Sequence, residues 1–226
     1  SMQCIPGGGA AFDLDNDHDW INLIPYGDLK AMIDPISADV TARVLEMLGE
    51  CGLSMDDRRI QKAIAYLINE QESDGSWFGR WGVNYIYGTS GVLSALAAIS
   101  PTRCYAQIQD GANWLVNCQN PDGGWGETCA SYDDSTLKGV GVSTASQTAW
   151  AMIGILAAMD STNFMGKESI TQGVEYLICT QKNDGTWNED YFTGTGFPCH
   201  FYLKYHLYQQ YFPLQALARS KKIFSE

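Results

Sequence analysis

The 226-residue sequence predicts an all-α architecture, an (α/α) barrel assembled from helical hairpins, and three observations carry the prediction. The first is a repeat. Residues 71–77 read QESDGSW, residues 119–125 read QNPDGGW and residues 181–187 read QKNDGTW, so Q-x-x-D-G-x-W occurs three times. Self-similarity at tens of residues marks a chain of stacked supersecondary units. The second is helical apolar spacing ahead of each copy: Ala63, Ile64, Tyr66, Leu67 and Ile68 before the first, Ala112, Trp114, Leu115 and Val116 before the second, Val174, Tyr176, Leu177 and Ile178 before the third. The third is composition. Hydrophobic residues make up 45% and charged residues 18%, which excludes disorder and supplies one large core without disulfide or metal staples. Residues 1–226 are therefore expected to form a single domain.

The elements follow in order. Residues 3–9, QCIPGGG, align with QNPDGGW and put Gly9 where the tryptophan should stand, so a fourth motif opens the chain. Its inner helix is expected near 37–50, with Val40, Val44, Leu45 and Leu48 on one face. In each later motif the Asp-Gly pair stops a helix, because glycine accepts the left-handed conformation and aspartate bonds its own downstream backbone. A second, more hydrophobic helix follows each motif, near 89–99, 143–159 and 199–217. Stacked hairpins of this kind put the first helices outside and the second around a lumen. About seven helices in two layers are expected, and the start inside a repeat predicts an incomplete barrel, the C-terminal portion of a longer one. Ser1 and Met2 read as a remnant of expression ahead of an internal residue.

Composition excludes several function classes. With 26 acidic against 14 basic residues the net charge is −12, and no Lys/Arg stripe is present to neutralise phosphates, so nucleic acid is not an expected partner. The longest apolar run, Ala149 to Met159, falls short of the roughly 20 residues that span a bilayer. Seven cysteines without C-x-x-C spacing are expected to be buried, reduced thiols. His18, His200 and His206 lack Cys or Asp partners at zinc spacing, so neither a metal nor a cofactor is expected.

Two constellations could carry chemistry. Asp39 and Arg43 stand i and i+4 on one helix, where they could form an ion pair. Phe197, Phe201, Tyr205 and Tyr208 are spaced 4, 4 and 3, one helical stripe that serves either core or lumen. The acidic Asp13–Asp17 stretch and the Asp133-Asp134 pair read as loop or turn carboxylates.

The repeat is similar to the QW motif of squalene and oxidosqualene cyclases. GGGAAFDLDNDHDWINLIPYGD, DPISADVTARVLE, DGSWFGRWGVNYIYGT, QNPDGGWGE, STASQTAWAM and TGTGFPCHFYLKYHLYQQYFPLQALAR resemble successive blocks of the bacterial squalene-hopene cyclases. Gly9 and Ser90 depart from that pattern, and the family's D-x-D-D proton donor is not in the chain. The resemblance implies cyclisation of squalene to hopene or hopanol by alkene protonation and a carbocation cascade. Asp39 and Arg43 would then support the missing acid through hydrogen bonds. Phe12, Trp81, Tyr87, Phe197, Phe201, Tyr205 and Tyr208 would stabilise cations, since a ring face attracts positive charge and offers no nucleophile to trap it. Gln71–Trp77, Gln119–Trp125 and Gln181–Trp187 would be structural, tying outer helices together. The resemblance further implies an enzyme on the cytoplasmic side of a bacterial membrane, attached to one leaflet, with Ile24-Pro25-Tyr26 and Leu29 near the substrate channel. Its partners would be squalene or a related linear isoprenoid, the membrane surface and the N-terminal part of the same protein; a homodimer is left open by the sequence. The fragment would be inactive alone. A noncatalytic repeat domain binding an isoprenoid or a protein is the second reading. A carbohydrate-active α/α barrel is the third, disfavoured because the repeated Asp lies in a turn.

Overall fold

A computed structural model describes residues 3–27 and 31–224; Ser1, Met2 and Leu29, named above, lie outside them. The inner helices are α1 (Ala38–Glu50), α3 (Tyr85–Ile99), α5 (Ala145–Thr162) and α7 (Tyr208–Ser220). The outer helices are α2 (Arg58–Asn69), α4 (Tyr105–Asn117) and α6 (Lys167–Thr180). Consecutive inner helices pack on one another, α1 on α3, α3 on α5 and α5 on α7, while each outer helix is laid against that row. Burial follows: α5 is buried almost all round, from Ala145 to Leu156, and α2 shows the core only one face, with Ile60, Ala63, Ile64 and Leu67. A helix apolar all round must lie inside, and an amphipathic one outside. Arg219 of α7 lies 3.9 Å from Glu46 of α1, so the last inner helix comes back within reach of the first.

The Q-x-x-D-G-x-W motifs are the joints. Each Trp indole N–H donates to a carbonyl ten residues back near the end of its own outer helix, Trp77 to Leu67, Trp125 to Leu115 and Trp187 to Leu177, at 2.7, 2.7 and 2.8 Å. Each Gln amide closes its own turn by donating to the glycine carbonyl four residues on. Gln71 and Gln119 also reach the first turn of the next outer helix, at Gln107 O (3.1 Å) and Ser169 O (3.0 Å). Gly75 shows why the turn needs glycine: its φ is +93°, and a Cβ there would stand 2.7 Å from the Asp110 carbonyl of α4.

The stretch read as an inner helix from 199 differs. Gly194–Phe197 and Phe201–Leu203 form an antiparallel hairpin, β1 and β2, and α7 starts only at Tyr208. Pro198 and Cys199, whose φ is +65°, turn the chain, and residues before a proline avoid the helical region. The rings of Phe201 and Tyr205 lie over Gly196 and Gly194, where any Cβ would collide with them. Phe197, Phe201, Tyr205 and Tyr208 are therefore not one helical stripe. The 4, 4, 3 spacing comes from a hairpin, a turn and a helix start. The cysteines also depart from expectation: Cys4 and Cys104 are buried, Cys118 and Cys129 half-buried, and Cys51, Cys179 and Cys199 exposed, with no disulfide among the described residues.

Candidate active site

The hairpin is stitched to the loop before α3. Val83 N–H donates to Thr193 O (3.0 Å) and Thr195 N–H to Trp81 O (3.2 Å), so Phe197 is carried up to Trp81. Phe12 meets Trp81 edge-on, centroids 5.6 Å apart, and Phe197 meets Phe201 at 5.6 Å. Phe12, Trp81, Phe197, Asp34 and Arg80 line a cavity of about 230 Å³. The Asp34 carboxylate accepts the backbone N–H groups of Phe12 and Asp13 and so fixes the loop that presents the Phe12 ring. Among the described residues, Arg80 Nε and the Trp81 indole N–H are buried without a hydrogen-bond partner.

A second aromatic group forms where α3, α5 and α7 converge. Trp150 of α5 stands edge-on to Tyr87 (4.8 Å), Tyr208 (5.8 Å) and Phe212 (5.4 Å), and Tyr205 stacks on Tyr208 at 4.6 Å. Trp150 and Phe212 were not among the sequence-predicted residues. Trp150, in a helix apolar all round, carried no periodic signal, and the helix boundary at 199 hid the face on which Phe212 lies. Burial raises the Tyr87 and Tyr208 pKa values, so both phenols stay neutral and present ring faces rather than phenolates. The opposite end of the inner row is charged. There Glu46, Glu50, Asp160, Arg219 and Lys222 surround a cavity of about 630 Å³, a poor host for a hydrocarbon.

Asp39 and Arg43 do not form the ion pair that their spacing allows. The Arg43 guanidinium turns to Glu46, 3.0 Å away, and lies over the Tyr87 ring at 5.5 Å from its centroid. Asp39, in the first turn of α1 and 2% exposed, accepts the N–H of Trp81 at 2.8 Å and of Val40 at 2.9 Å. Its burial raises the carboxyl pKa above 3.8. The two residues thus join α1 to the two aromatic groups separately, Asp39 through the backbone of Trp81 and Arg43 through Tyr87. The acidic loop is structural in geometry: Asp15, with φ +53°, accepts Ile5 N–H at 2.8 Å, and Asp13 accepts from Asn16. Asp134 accepts the N–H of Thr136 at the start of a short turn.

Buried acids elsewhere brace the inner helices. Glu127 accepts the N–H groups of Asn84 and Ile86 at the start of α3, and Glu189 accepts the N–H and hydroxyl of Ser146 at the start of α5. An acid oxygen there satisfies orphan N–H donors of the helix start.

Stacked helical hairpins, with aromatic side chains gathered at one end of α3, α5 and α7, make this a helical-repeat domain. The family model of the squalene-hopene cyclase C-terminal domain matches residues 1–222, and the chain belongs to that family. It is 54% identical to dammaradiene synthase of Dryopteris crassirhizoma over 97% of its own length and 35% of that protein. Against the squalene–hopene cyclases of Alicyclobacillus acidocaldarius and Zymomonas mobilis it is 48% and 46% identical, over 98% of the chain and 34% and 33% of those proteins. The chain thus spans about a third of the length of these three relatives. Among solved structures, the type II terpene cyclase MstE from Scytonema aligns with a TM-score of 0.68 at 17% identity, over 98% of this chain and 65% of that one, a likeness of fold.

Proposed function

We propose that this chain is the C-terminal part of an enzyme that cyclises squalene to hopene or hopanol, with the two aromatic groups as the wall along which carbocations form and move. The observation that carries the reading is the convergence of Tyr87, Trp150, Tyr205, Tyr208 and Phe212 on one end of the inner helices, with Phe12, Trp81 and Phe197 gathered by the hairpin. Ring faces stabilise a buried cation by about 0.5–2 kcal/mol per contact without ending the cascade by bond formation. Asp39 and Arg43 act as positioning residues for a carboxylic acid outside this chain: Asp39 holds the Trp81 loop, and Arg43 brings fixed positive charge beside Tyr87. A nearby cation lowers the proton affinity of an acid, as alkene protonation requires.

The chain alone does not protonate squalene in this reading, because its Asp13–Asp17 carboxylates serve an exposed turn. The exposed Trp20, Leu23 and Tyr26 side chains form the hydrophobic contact by which the whole protein rests on the cytoplasmic leaflet and draws in its substrate. A homodimer is a further part of the proposal. The test is incubation with squalene of the chain alone and of the full-length protein. The expected result is hopene or hopanol from the full-length protein only. A cyclised product from the chain alone, lost in Asp15→Asn, overturns the assignment of the acidic loop.

A further inference from the structure

The loop that presents Trp81 follows the second motif and is held by segments that follow the other three. It needs holding, because it turns through two glycines: a Cβ on Gly79 would stand 2.4 Å from the Asn84 carbonyl, and one on Gly82 would stand 2.4 Å from the Tyr87 ring. These close approaches exclude a side chain and leave the backbone on either side of Trp81 with the freedom of glycine, so the direction of the indole is set by what bonds the loop. Asp39 of α1 accepts the Trp81 N–H at 2.8 Å, and the Trp81 carbonyl accepts Thr195 N–H from β1 at 3.2 Å. The third hold is Tyr132, at the end of the short helical turn Cys129–Tyr132. Its O–H is 2.8 Å from the Gly79 carbonyl and 2.9 Å from that of Gly82, the residues that bracket Arg80 and Trp81. A phenol has one proton, so the two carbonyls share it.

The turn that carries Tyr132 is itself pinned. The Tyr132 ring meets Phe78 edge-on at 5.6 Å and stacks on Tyr202 of β2 at 5.9 Å. Beside it, Ser131 Oγ accepts the Asn84 amide N–H at 3.1 Å, and the Asn84 side-chain oxygen accepts Gly79 N–H at 3.2 Å. Burial raises the Tyr132 pKa above 10, so the phenol keeps the proton it donates. Every donor and acceptor in this arrangement is supplied by residues 39–202 of this chain.

We propose that Tyr132 is a positioning residue of the cyclisation: by sharing its phenol proton between the Gly79 and Gly82 carbonyls it fixes the angle at which the Trp81 ring meets the substrate, and through that ring it sets how far the cascade runs. The inference rests on the function proposed above. A ring attracts a cation through its face and over about 6 Å, so an indole that tilts in place loses stabilisation without leaving the wall.

Tyr132→Phe in the full-length protein keeps the ring against Phe78 and Tyr202 and removes only the hydroxyl. Squalene products are read by gas chromatography, with melting temperatures alongside. The wild type should give hopene or hopanol, and the variant should raise the share of partly cyclised products about fivefold, the rate ratio that one hydrogen bond is worth. It should melt within about 4 °C of the wild type. Trp81→Leu should shift the products too, and adding Tyr132→Phe to it should change the spectrum no further, because the ring that Tyr132 aims is gone. If Tyr132→Phe does not fold, Ser131→Ala loosens the same turn and replaces it in both comparisons. A wild type that yields no cyclised triterpene overturns the function proposed above and this inference with it. A wild type that cyclises squalene, beside a Tyr132→Phe that keeps its product spectrum or shifts it equally with and without the Trp81 ring, leaves the function standing and overturns the role of Tyr132.

Discussion

Glu127 shows how a single side chain can be read for its energetics. Burial raises its carboxyl pKa above the ordinary 4.5, although the N–H groups of Asn84 and Ile86 pull the other way. The folded state therefore binds the proton more tightly than the unfolded one. The stability this group contributes is fully present below pH 4.5 and is lost as pH rises through the folded value. Glu127→Gln keeps an acceptor for α3 and has no proton to lose, so its melting temperature should fall less than the wild type's as pH is raised from 4 to 8, read by circular dichroism. A steeper fall in the variant contradicts the sign. Glu127 was not legible in the sequence, where QNPDGGWGE reads as a loop, because the helix start it braces is 41 residues earlier. The aromatic candidates were legible as residue types. Their grouping into two sets was not, and the Asp39–Arg43 spacing gave no hint that Trp81 and Glu46 would claim the two charges.

At the scale of elements the repeat was the most legible feature, because one geometry fixes one hydrogen-bond pattern. Q-x-x-D-G-x-W needs Gln for two carbonyls, Gly for positive φ and Trp for a buried ring with an N–H to satisfy. The motifs differ at the chain's C-terminal side, and this gives a prediction. Gln181 donates to Gly185 O, and no described atom comes within 4 Å of a Cβ built on Gly185, whereas Gln71 spans to α4. Gln71→Ala should cost about 1–2 kcal/mol, the loss of two partly buried hydrogen bonds. Gln181→Ala, at an exposed edge, should stay within about 0.5 kcal/mol of the parent. Urea unfolding of the two variants decides it, and equal losses would refute the bridging role. The hairpin at 194–203 was the illegible element. Its glycines are spaced for aromatic rings from across the turn, and cross-strand contacts of this kind mimic i, i+4 helical spacing when only one strand order is visible.

Across the whole molecule, the chain divides into a structural outer layer and an inner row whose one end is aromatic and whose other end is charged. That division predicts which substitutions redirect chemistry and which only loosen the fold. Trp125 is fully buried, its indole tied to Leu115, away from the wall. Phe197 and Phe201 lie on the hairpin beside Trp81 and Phe12. Trp150→Leu, which removes the ring against which Tyr87, Tyr208 and Phe212 all pack, should do both: lower the melting temperature and scatter the products, since a large buried aromatic costs about 3–5 kcal/mol to truncate fully and somewhat less to replace by leucine.

The most direct measurement is gas chromatography of squalene products from the full-length protein carrying Phe197→Ala, Phe201→Ala or Trp125→Ala, with melting temperatures alongside. The two phenylalanine variants should release partly cyclised products, because each missing ring face raises a late cation by about 0.5–2 kcal/mol. Trp125→Ala should melt lower and keep the parent's product spectrum. If Trp125→Ala changes the products while both phenylalanine variants leave them unchanged, the aromatic wall is not where the cations form.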